Sequence, residues 1–498
     1  MINSSDIIYF TLTDRFFDGN STNNQGVNLN NPTAFHGGDF DGLIKKISYF
    51  KKLGITALWI TPVYLNIHDL GESAGYHGYW TIDFEKIDPH LYTPVPGREN
   101  GSKEFLKDLV DTFHEEGIKI ILDMVVNHTG YHTASYLNYP GKVFEERHFN
   151  RGEGTVEGEL SGLPDLDHDQ MDVADYFIQN ILGWIEETGI DGIRMDTVKH
   201  VEDKFWYLYK SQVRTKHPDV TLIGEVLDFN AEFISRYQRE HDFNAVFDFP
   251  LCGALKGSFI HGRPMTDIAK PRIHPAEPQG VLDNDQVYTN ANRLITLLDN
   301  HDLDKRIMSE ILDAVGHWDK ELAGKILKLM LTFLMTSRGI PQIYYGTEIG
   351  MTGYKDPDNR KDMPWSLFDV NDMPVTVHEK NIFEHMVRVI KIKKNNPAIS
   401  FGYLFTLYVD TFIYAFLREL QGNVVIVVMN NGREGMPVPL KIEVHKNSNI
   451  PARIKNIIAD GTTLMSQFTG LENIAIESGG FRVKLPGKTA GVYCLPAS

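Results

Sequence analysis

The stretch GIDGIRMDTVKH, residues 189–200, has the pattern of a buried strand that ends in charged residues. Its first Gly-Ile pair follows a charge-rich helical segment, and a glycine that closes a helix just before a strand is a common helix C-terminal signal. Arg194 and Asp196 lie two positions apart, so their side chains share one face of the strand. The sequence therefore predicts an apolar strand whose carboxyl end carries a functional pair of opposite charges.

The same unit of helix, Gly-Ile pair and apolar run recurs along the chain. It appears in residues 45–63 and 109–128 as well as in residues 181–200. Strands that alternate with helical segments pair in parallel through crossover helices. The number of such runs predicts an α/β protein with a closed (β/α)8 TIM barrel, and an open doubly wound sheet is the alternative. The eight predicted strands are residues 7–13, 56–62, 119–126, 191–197, 221–225, 245–249, 294–299 and 340–345.

Two parts of the chain depart from this pattern. Residues 129–172 are too long and irregular for an ordinary connection, so they predict an inserted subdomain after strand three. From about residue 404 the chain changes to short alternating strands, which are typical of a separate all-β sandwich. The predicted domains are a barrel of residues 1–128 and 173–403, an insert of residues 129–172 and a C-terminal β-sandwich of residues 404–498.

The composition excludes several classes of protein. Of the 498 residues, 42% are hydrophobic, yet no apolar run approaches the roughly 20 residues of a membrane helix. The formal net charge of −17 argues against a nucleic acid partner, because such proteins concentrate Lys and Arg against phosphates. We therefore expect a neutral substrate. Two buried free thiols at Cys252 and Cys494 are favoured over a disulfide between them.

Polar and ionisable residues gather at the carboxyl ends of the predicted strands. In barrel enzymes the active site is built at that rim. A buried carboxylate at a strand end is costly unless it is paired or has a function, and salt bridges that rigidify the rim are the alternative explanation. The residues concerned are Asp123, Asn127, His128, Arg194, Asp196, Glu225, His301 and Asp302.

Three carboxylates on one rim suggest a particular chemistry. Arg194 would keep Asp196 ionised, and an ionised carboxylate can act as a nucleophile. Glu225 precedes an apolar valine, so its pKa could be raised toward that of a proton donor. One nucleophilic carboxylate and one protonated carboxyl are the equipment of retaining glycoside hydrolysis, provided that they lie about 5 to 5.5 Å apart. Neighbouring strands could supply that separation.

These residues lie in motifs that resemble the α-amylase family of glycoside hydrolases. DMVVNH (123–128), GIRMDTVKH (192–200), GEV (224–226) and LLDNHD (297–302) are similar to the four short conserved regions of that family, in their usual order. LPDLDHD (163–169) is similar to its fifth region. The resemblance spans nearly the whole chain and rests on five motifs in order.

The resemblance implies a role for each rim residue. Asp196 would be the nucleophile, Glu225 the general acid and then base, and Asp302 the stabiliser of the transition state. YHGYW (76–80) is similar to the aromatic platform of the cleavage subsite, and DPDNR (356–360) to the donor-side clamp. Core aromatics and a loop salt bridge are the respective alternatives. The implied substrate-binding residues are His77, Tyr79, His128, Arg194, Lys199, His200, His301, Asp356 and Arg360.

One or two calcium sites follow from the same comparison. Asn127, Asp165 and the backbone carbonyl of His200 occupy the positions of the site that ties the insert to the barrel, and hard oxygen ligands suit Ca²⁺. A second set resembles the N-terminal calcium site of cyclodextrin glucanotransferases, although Asn and Gly also make plain turns. That second set is Asp18, Asn20, Asn23, Asn24, Gly37 and Asp39.

Two further positions bear on the acceptor of the glycosyl group. Cyclising relatives carry aromatic residues where this chain has Ser161 and Leu227. Without those rings water should compete well, so we expect an α-amylase that hydrolyses α-1,4 bonds of starch and maltooligosaccharides. The alternatives are a 4-α-glucanotransferase or a maltogenic or cyclodextrin-degrading enzyme, and, more remotely, a glucan-binding protein without activity.

The expected surroundings of the protein follow from these interpretations. We expect a glucan as partner, with neither nucleic acid nor a membrane, and a monomeric state. No leader pattern opens the sequence, which by itself suits the cytoplasm. Two calcium sites suit a calcium-rich exterior, and we favour a secreted protein in its mature form.

Overall fold

A barrel of parallel strands forms the larger part of the protein. The computed structural model describes residues 1–133, 136, 138–270, 279–433 and 438–496. In chain order the strands up to residue 344 are β1 (Ile8–Thr11), β2 (Ala57–Ile60), β3 (Tyr64–Asn66), β4 (Thr81–Ile87), β5 (Lys119–Met124), β6 (Gly192–Met195), β7 (Thr221–Gly224), β8 (Ala245–Val246), β9 (Ile295–Thr296) and β10 (Ile340–Tyr344). Strands β3 and β4 form a separate antiparallel hairpin, and the other strands form the barrel sheet.

The barrel sheet closes on itself. Its order is β8-β7-β6-β5-β2-β1-β10-β9, and every adjacent pair in it is parallel. A parallel bridge between Phe247 and Ile295 joins the two ends, β8 and β9. The predicted closed barrel is thereby confirmed, and the open doubly wound alternative is wrong.

Helices surround this sheet and end where the sequence predicts. Helix Met171–Thr188 ends at Gly189 with φ 71°, and helix Ile47–Leu53 ends at Gly54 with φ 94°. Both glycines adopt the left-handed conformation that closes a helix before the next strand. The α-helices of the described residues are Thr13–Phe16, Phe40–Lys45, Ile47–Leu53, Glu104–Glu115, Met171–Thr188, Asp203–Tyr209, Ala231–Arg239, Phe249–Phe259, Ile307–Val315, Lys320–Thr336, Val377–Asn395, Pro397–Phe401 and Ala452–Ile457.

The segment after β5 is irregular, as predicted for an insert. Residues 129–172 contain the 3₁₀ helix Glu146–His148 and isolated bridges rather than a ladder in their described part. One bridge pairs His128 at the barrel with Asp165, and another pairs Phe149 with Leu166. The insert is therefore held at the barrel rim by the stretch that carries Asp165.

The C-terminal part is an antiparallel β-structure. Its strands are β11 (Tyr403–Val409), β12 (Ile413–Leu420), β13 (Asn423–Asn430), β14 (Val438–Glu443), β15 (Thr463–Ser466), β16 (Ile474–Ala475), β17 (Gly480–Leu485) and β18 (Thr489–Cys494). One sheet has the order β11-β12-β13-β18-β15-β16, and β14 pairs with β17 in a second sheet. Alternate residues of β12 face opposite ways: Phe416 packs toward the barrel, and Leu417 enters a core within the C-terminal part.

Both cysteines are buried and unbonded. Cys252 lies in helix Phe249–Phe259 and Cys494 ends β18. The expected free thiols are confirmed. Within the described ranges, no helix is long and apolar enough to cross a membrane.

Candidate active site

Arg194 is the centre of the polar cluster at the carboxyl end of the barrel. Its side chain is buried, and its Nη1 donates to Asp196 Oδ1 at 2.7 Å and to Asp123 Oδ1 at 2.9 Å. Although burial lowers the pKa of Arg194, the negative charge of Asp123 and its neighbours raises it well above its usual value. A permanent positive charge therefore lies against both carboxylates, which explains the charged pair on strand β6.

Asp123 joins this arginine to the wall of the barrel. It accepts hydrogen bonds from Tyr79 OH at 2.8 Å and Trp59 Nε1 at 3.1 Å, besides those from Arg194. Burial raises the pKa of Asp123 to about 7, and Arg194 opposes that rise. The sequence analysis placed Asp123 on the rim without giving it a site role. Its position near the end of a strand, in the motif DMVVNH, is the feature of the sequence that could have indicated such a role.

The predicted acid, Glu225, lies beside the predicted nucleophile. Backbone N–H groups connect the ends of β6 and β7: that of Glu225 donates to Met195 O at 2.9 Å, and that of Thr197 donates to Glu225 Oε2 at 2.9 Å. Burial raises the pKa of Glu225 to about 8, opposed by Arg194 and reinforced by the charge of Asp196. Arg194 Nη2 is 3.8 Å from Glu225 Oε2, much farther than Nη1 is from Asp196. Glu225 therefore favours its protonated form, whereas Asp196 makes the shorter contact with the guanidinium.

The third predicted carboxylate, Asp302, stands on the open side of the cluster. Its side chain is 31% exposed, whereas those of Asp196 and Glu225 are 8% and 7% exposed. It lies 3.3 Å from His301 Nε2 and 3.3 Å from Arg360 Nη2. Asp302 can therefore reach a substrate that enters from solvent.

The predicted donor-side pair connects to the same cluster. Arg360 Nη1 lies 3.4 Å from Asp356 Oδ2, and its Nε donates to the His301 carbonyl at 3.1 Å. Tyr76 OH donates to Asp356 Oδ1 at 3.3 Å. The loop salt bridge that was an alternative is present, and it lies at the rim beside Asp302 rather than away from the site.

Neutral rings line the space next to the carboxylates. Tyr79 stacks on His301, with ring centroids 5.4 Å apart, and on His77 at 5.6 Å. Burial holds the pKa of His77 and of His301 well below the usual value for histidine. His128 is buried as well, its pKa is lowered by burial, and its Nε2 has no hydrogen-bond partner in the described residues. Such neutral rings can donate to or accept from sugar hydroxyls.

The predicted acceptor-side pair lies on the 3₁₀ helix Val198–His200. Lys199 Nζ donates to the Leu227 carbonyl at 2.6 Å, and His200 Nδ1 lies 2.7 Å from the Thr155 carbonyl in the insert. Lys199 thus contacts one of the two positions that lack an aromatic ring. The other, Ser161, is exposed, and its carbonyl accepts from Tyr131 OH at 3.2 Å.

Oxygen atoms gather around Asp165, at the first predicted calcium position. Asp165 contacts Asn127 and accepts from Asn150 Nδ2 at 2.9 Å, and Asn150 also donates to Glu202 Oε1 at 3.1 Å. Asp165 Oδ1 and Glu202 Oε2 are buried without a hydrogen-bond partner among the described residues. Burial raises the pKa of Asp165 to about 7, with Glu202 adding to the rise. Two crowded carboxylates with free oxygens fit a divalent cation, and Asn150 and Glu202 were not in the predicted set.

At the second predicted calcium position, some of the predicted ligands have unpartnered oxygen atoms and others are already hydrogen-bonded. Asn23 Oδ1 and Asn24 Oδ1 are buried without a partner in the described ranges. A Cβ at Gly37 would lie 2.9 Å from Asn24 Oδ1, so only glycine fits there. Asp39 is instead surrounded by donors, since it accepts from the Gly19 and Gly42 N–H groups. The remaining predicted ligands are already hydrogen-bonded: Asp18 accepts from Asn24 Nδ2, and Asn20 Oδ1 accepts from Thr22.

Together, this barrel and the carboxylates at its rim are typical of enzymes that act on glycosidic bonds. The family described as alpha amylase, catalytic domain, matches residues 10–151 and 142–398. The chain belongs to the α-amylase family.

Individual relatives agree with this assignment. The chain is 31% identical to a beta/alpha-amylase of Paenibacillus polymyxa, over 98% of this chain and 38% of that protein. Its fold matches an Anoxybacillus α-amylase, with 30% identity, a TM-score of 0.80 and 99% coverage of both chains. It equally matches CldA, described as a cyclomaltodextrin glucanotransferase with three domains ABC, with 25% identity, a TM-score of 0.80 and 99% coverage of both.

The curated relatives are longer than this chain. It spans 38% of the Paenibacillus protein and 59% to 61% of two cyclomaltodextrin glucanotransferases of bacilli.

Proposed function

We propose that this protein hydrolyses α-1,4-glucosidic bonds of starch and maltooligosaccharides with retention of configuration. The observation that carries the proposal is the division of roles around Arg194. Its short contact of 2.7 Å favours an ionised Asp196, whereas Glu225, 3.8 Å away, has a pKa of about 8. An anion and a proton donor on adjacent strands are what a double displacement at a sugar requires.

The proposed reaction uses these two groups in turn. Asp196 attacks the anomeric carbon as the glycosidic C–O bond breaks, and Glu225 gives its proton to the departing oxygen. Water then loses a proton to Glu225 while its oxygen attacks the anomeric carbon and displaces Asp196, which restores both side chains. Asp302, beside Arg360 and on the open side of the cluster, would hold sugar hydroxyls and stabilise the transition state.

The environment of the acceptor supports hydrolysis over transfer. Leu227 is half-buried, and Ser161 is exposed and carries no ring on which an acceptor sugar could stack. Water therefore meets little competition from a bound sugar in the second step.

A 4-α-glucanotransferase is the second candidate, and one contact favours it. Tyr131 OH donates to the Ser161 carbonyl, so an aromatic ring lies next to the position where cyclising relatives carry one. CldA, which matches this chain over its whole length, is described as a glucanotransferase. A binding protein without activity is disfavoured, because Asp196, Glu225 and Asp302 are all present.

Product analysis distinguishes the candidates. Soluble starch and then maltoheptaose are incubated in calcium-containing buffer, and the products are followed over time by chromatography. Shorter linear maltooligosaccharides support the hydrolase, whereas cyclic products or products longer than maltoheptaose assign the protein as a transferase. Asp196→Asn should lower turnover by several orders of magnitude and leave the protein folded. The matched control is Asp203→Asn at an exposed surface pair with Arg236, and near-normal activity of Asp196→Asn would contradict the mechanism.

We also propose that Ca²⁺ binds where the insert meets the barrel. Asn127, Asp165 and Glu202 would supply side-chain oxygens, with the His200 carbonyl as the ligand that the family resemblance implies. Asn150 Nδ2 bridges the two carboxylates and would hold them in place. The unpartnered oxygens of Asp165 and Glu202 support this site, because a buried carboxylate oxygen without a donor needs a cation. A second site near Asn23 and Asn24 is supported by two free amide oxygens only.

A further inference from the structure

Two histidines and one aspartate meet away from the catalytic cluster, at the base of the β3–β4 hairpin. His68 follows β3, and Asp88 and His90 follow β4. His68 Nε2 lies 2.9 Å from Asp88 Oδ2, and His90 Nδ1 lies 2.7 Å from Asp88 Oδ1. One ligand atom from each side chain falls within 4.8 Å of the other two. We propose that these three side chains bind Zn²⁺, independently of calcium and of the proposed reaction.

Neighbouring groups already hold the three side chains in a ligating orientation. His90 Nε2 donates to the Gln25 carbonyl at 2.5 Å, and Nδ1 is the atom turned toward Asp88. Because an ionised carboxylate only accepts, Nδ1 also carries a proton here, and zinc would displace that proton when it binds. The bond to Gln25 is the outer hydrogen bond that a metal-binding histidine makes with its other nitrogen. The Phe35 ring stacks on His90, with centroids 3.8 Å apart.

The carboxylate is fixed in the same way. The backbone N–H of Asn66 donates to Asp88 Oδ2, and that of His90 donates to Asp88 Oδ1, each at 3.0 Å. Asp88 and His90 are buried, whereas the His68 side chain is 40% exposed. Two ligands thus come from a rigid segment, and the third comes from a side that solvent can reach.

The donor set selects zinc over calcium. Ca²⁺ takes six to eight oxygen ligands, and two imidazole nitrogens with one carboxylate are poor ligands for it. Zn²⁺ prefers four ligands, with nitrogen and oxygen at about 2.0 Å, so neighbouring ligand atoms are about 3.3 Å apart. The contacts of 2.7 and 2.9 Å need only a small opening to reach that spacing. A water molecule on the exposed side of His68 would complete four-coordination.

Zinc at this position would link the two segments that follow β3 and β4, and the hydrogen bond of His90 to Gln25 connects them to a third segment. His90 is hydrogen-bonded to the loop that contains Gln25, while His68 begins the connection that leads to His77 and Tyr79 in the catalytic cluster. The metal would therefore fasten the hairpin and the N-terminal loop to each other. Gln25 directly follows Asn24 of the second proposed calcium site, so the test must keep calcium saturated.

The test is zinc binding by the full chain. Protein stripped of metal with a chelator is dialysed into excess Ca²⁺ and titrated with Zn²⁺ by calorimetry, and with Co²⁺ by visible absorption. We expect one Zn²⁺ per chain and the intense absorption of four-coordinate Co²⁺. His68→Gln should weaken zinc binding by more than about tenfold, and His90→Gln by at least as much. Because His68 is partly exposed, His68→Gln keeps the test valid if His90→Gln fails to fold.

The matched control is His261→Gln, which removes an exposed histidine paired with Glu310 and should leave zinc binding unchanged. Absence of zinc uptake in excess calcium would overturn the proposal. The two histidines would then only be hydrogen-bonded to Asp88. Equal binding by His68→Gln and the unaltered protein would overturn it as well. Since the readout is binding, a failure of the proposed starch hydrolysis would not affect this result.

Discussion

At the scale of single residues, the buried part of the site holds more carboxylates than positive charges. Arg194 faces the buried Asp123, Asp196 and Glu225, and one buried guanidinium cannot balance three buried negative charges. Asp302 is more exposed and is also paired with Arg360. The shortest contact goes to Asp196, while burial raises the pKa of Asp123 and Glu225 to about 7 and about 8. The raised pKa of Glu225 therefore assigns it the proton, and the short contact of Asp196 with Arg194 leaves Asp196 as the proposed nucleophile.

This assignment predicts the alkaline limb of the pH profile. Glu225 must be protonated to act as the acid, so kcat/KM should fall as the pH rises through about 8. The free-enzyme pKa is obtained from kcat/KM for maltoheptaose between pH 5 and 10 at constant ionic strength. A profile that stays flat to pH 10 would show that Glu225 does not lose the essential proton in this range.

Asp123 offers a second prediction, because it touches Arg194 and Tyr79 and positions them. Asp123→Asn should let both side chains shift, and a displacement of about 1 Å at a catalytic group can reduce turnover by about 100-fold. We expect kcat to fall more than KM rises, and circular dichroism to report a folded protein. A variant with unaltered kcat would assign Asp123 a role in folding alone.

Site residues that lie in recognisable sequence motifs could be predicted. Site residues that meet only because distant segments fold together could not. Asp196, Glu225 and Asp302 lie at strand ends in recognisable motifs, so their convergence follows from the barrel. Asn150 and Glu202 lie 52 positions apart and meet only because the insert folds back onto the rim. Neither has a local pattern that indicates a ligand, so no reasoning along the chain could pair them.

At the scale of elements, strand positions followed from apolar runs, but ladder lengths did not. The predicted strand of residues 294–299 forms a ladder only over Ile295–Thr296, and that of residues 245–249 forms one only over Ala245–Val246, with a single further bridge at Phe247. The remaining residues of each run are buried but lie beyond the ladder, where they form the rim of the barrel. The buried apolar run was therefore longer than the strand. Helix Ala452–Ile457 in the C-terminal part was missed, because it is short and only Ile454 is buried in it.

Gly189 tests the prediction that a glycine in the left-handed conformation closes the helix before strand β6. Gly189 has φ 71°, and a Cβ there would meet no atom within 4 Å, so a substitution probes backbone conformation alone. Gly189→Ala should destabilise the protein by about 1 kcal/mol, because the left-handed conformation is strained for alanine. Gly189→Asn, the matched control, should cost less since asparagine tolerates that conformation. The free energy of unfolding in urea gives both values, and an unchanged value for Gly189→Ala would contradict the cap.

At the scale of the whole molecule, two attachments join the other parts to the barrel. The sheet that contains β12 and β13 presents one apolar face to the barrel. There the ring centroids of Phe416 and of Phe333, in helix Lys320–Thr336, are 5.9 Å apart. The insert also packs an apolar side chain, Phe144, against Phe84 and Phe177, but in addition it meets the rim through the polar atoms around Asp165. An apolar contact needs no ligand, whereas the polar one has unpartnered oxygens, so the two attachments should respond differently to conditions.

Removal of calcium should therefore affect the insert first. A chelator should lower the melting temperature, because a ligand that binds only the folded protein stabilises it by mass action. Glu202→Gln should reduce that calcium-dependent shift, since it removes the carboxylate that shares Asn150 with Asp165. Glu232→Gln, at an exposed pair with Arg239, is the matched control and should keep the full shift. Scanning calorimetry with and without chelator measures each shift, and equal shifts in both variants would place the stabilising calcium away from Asp165.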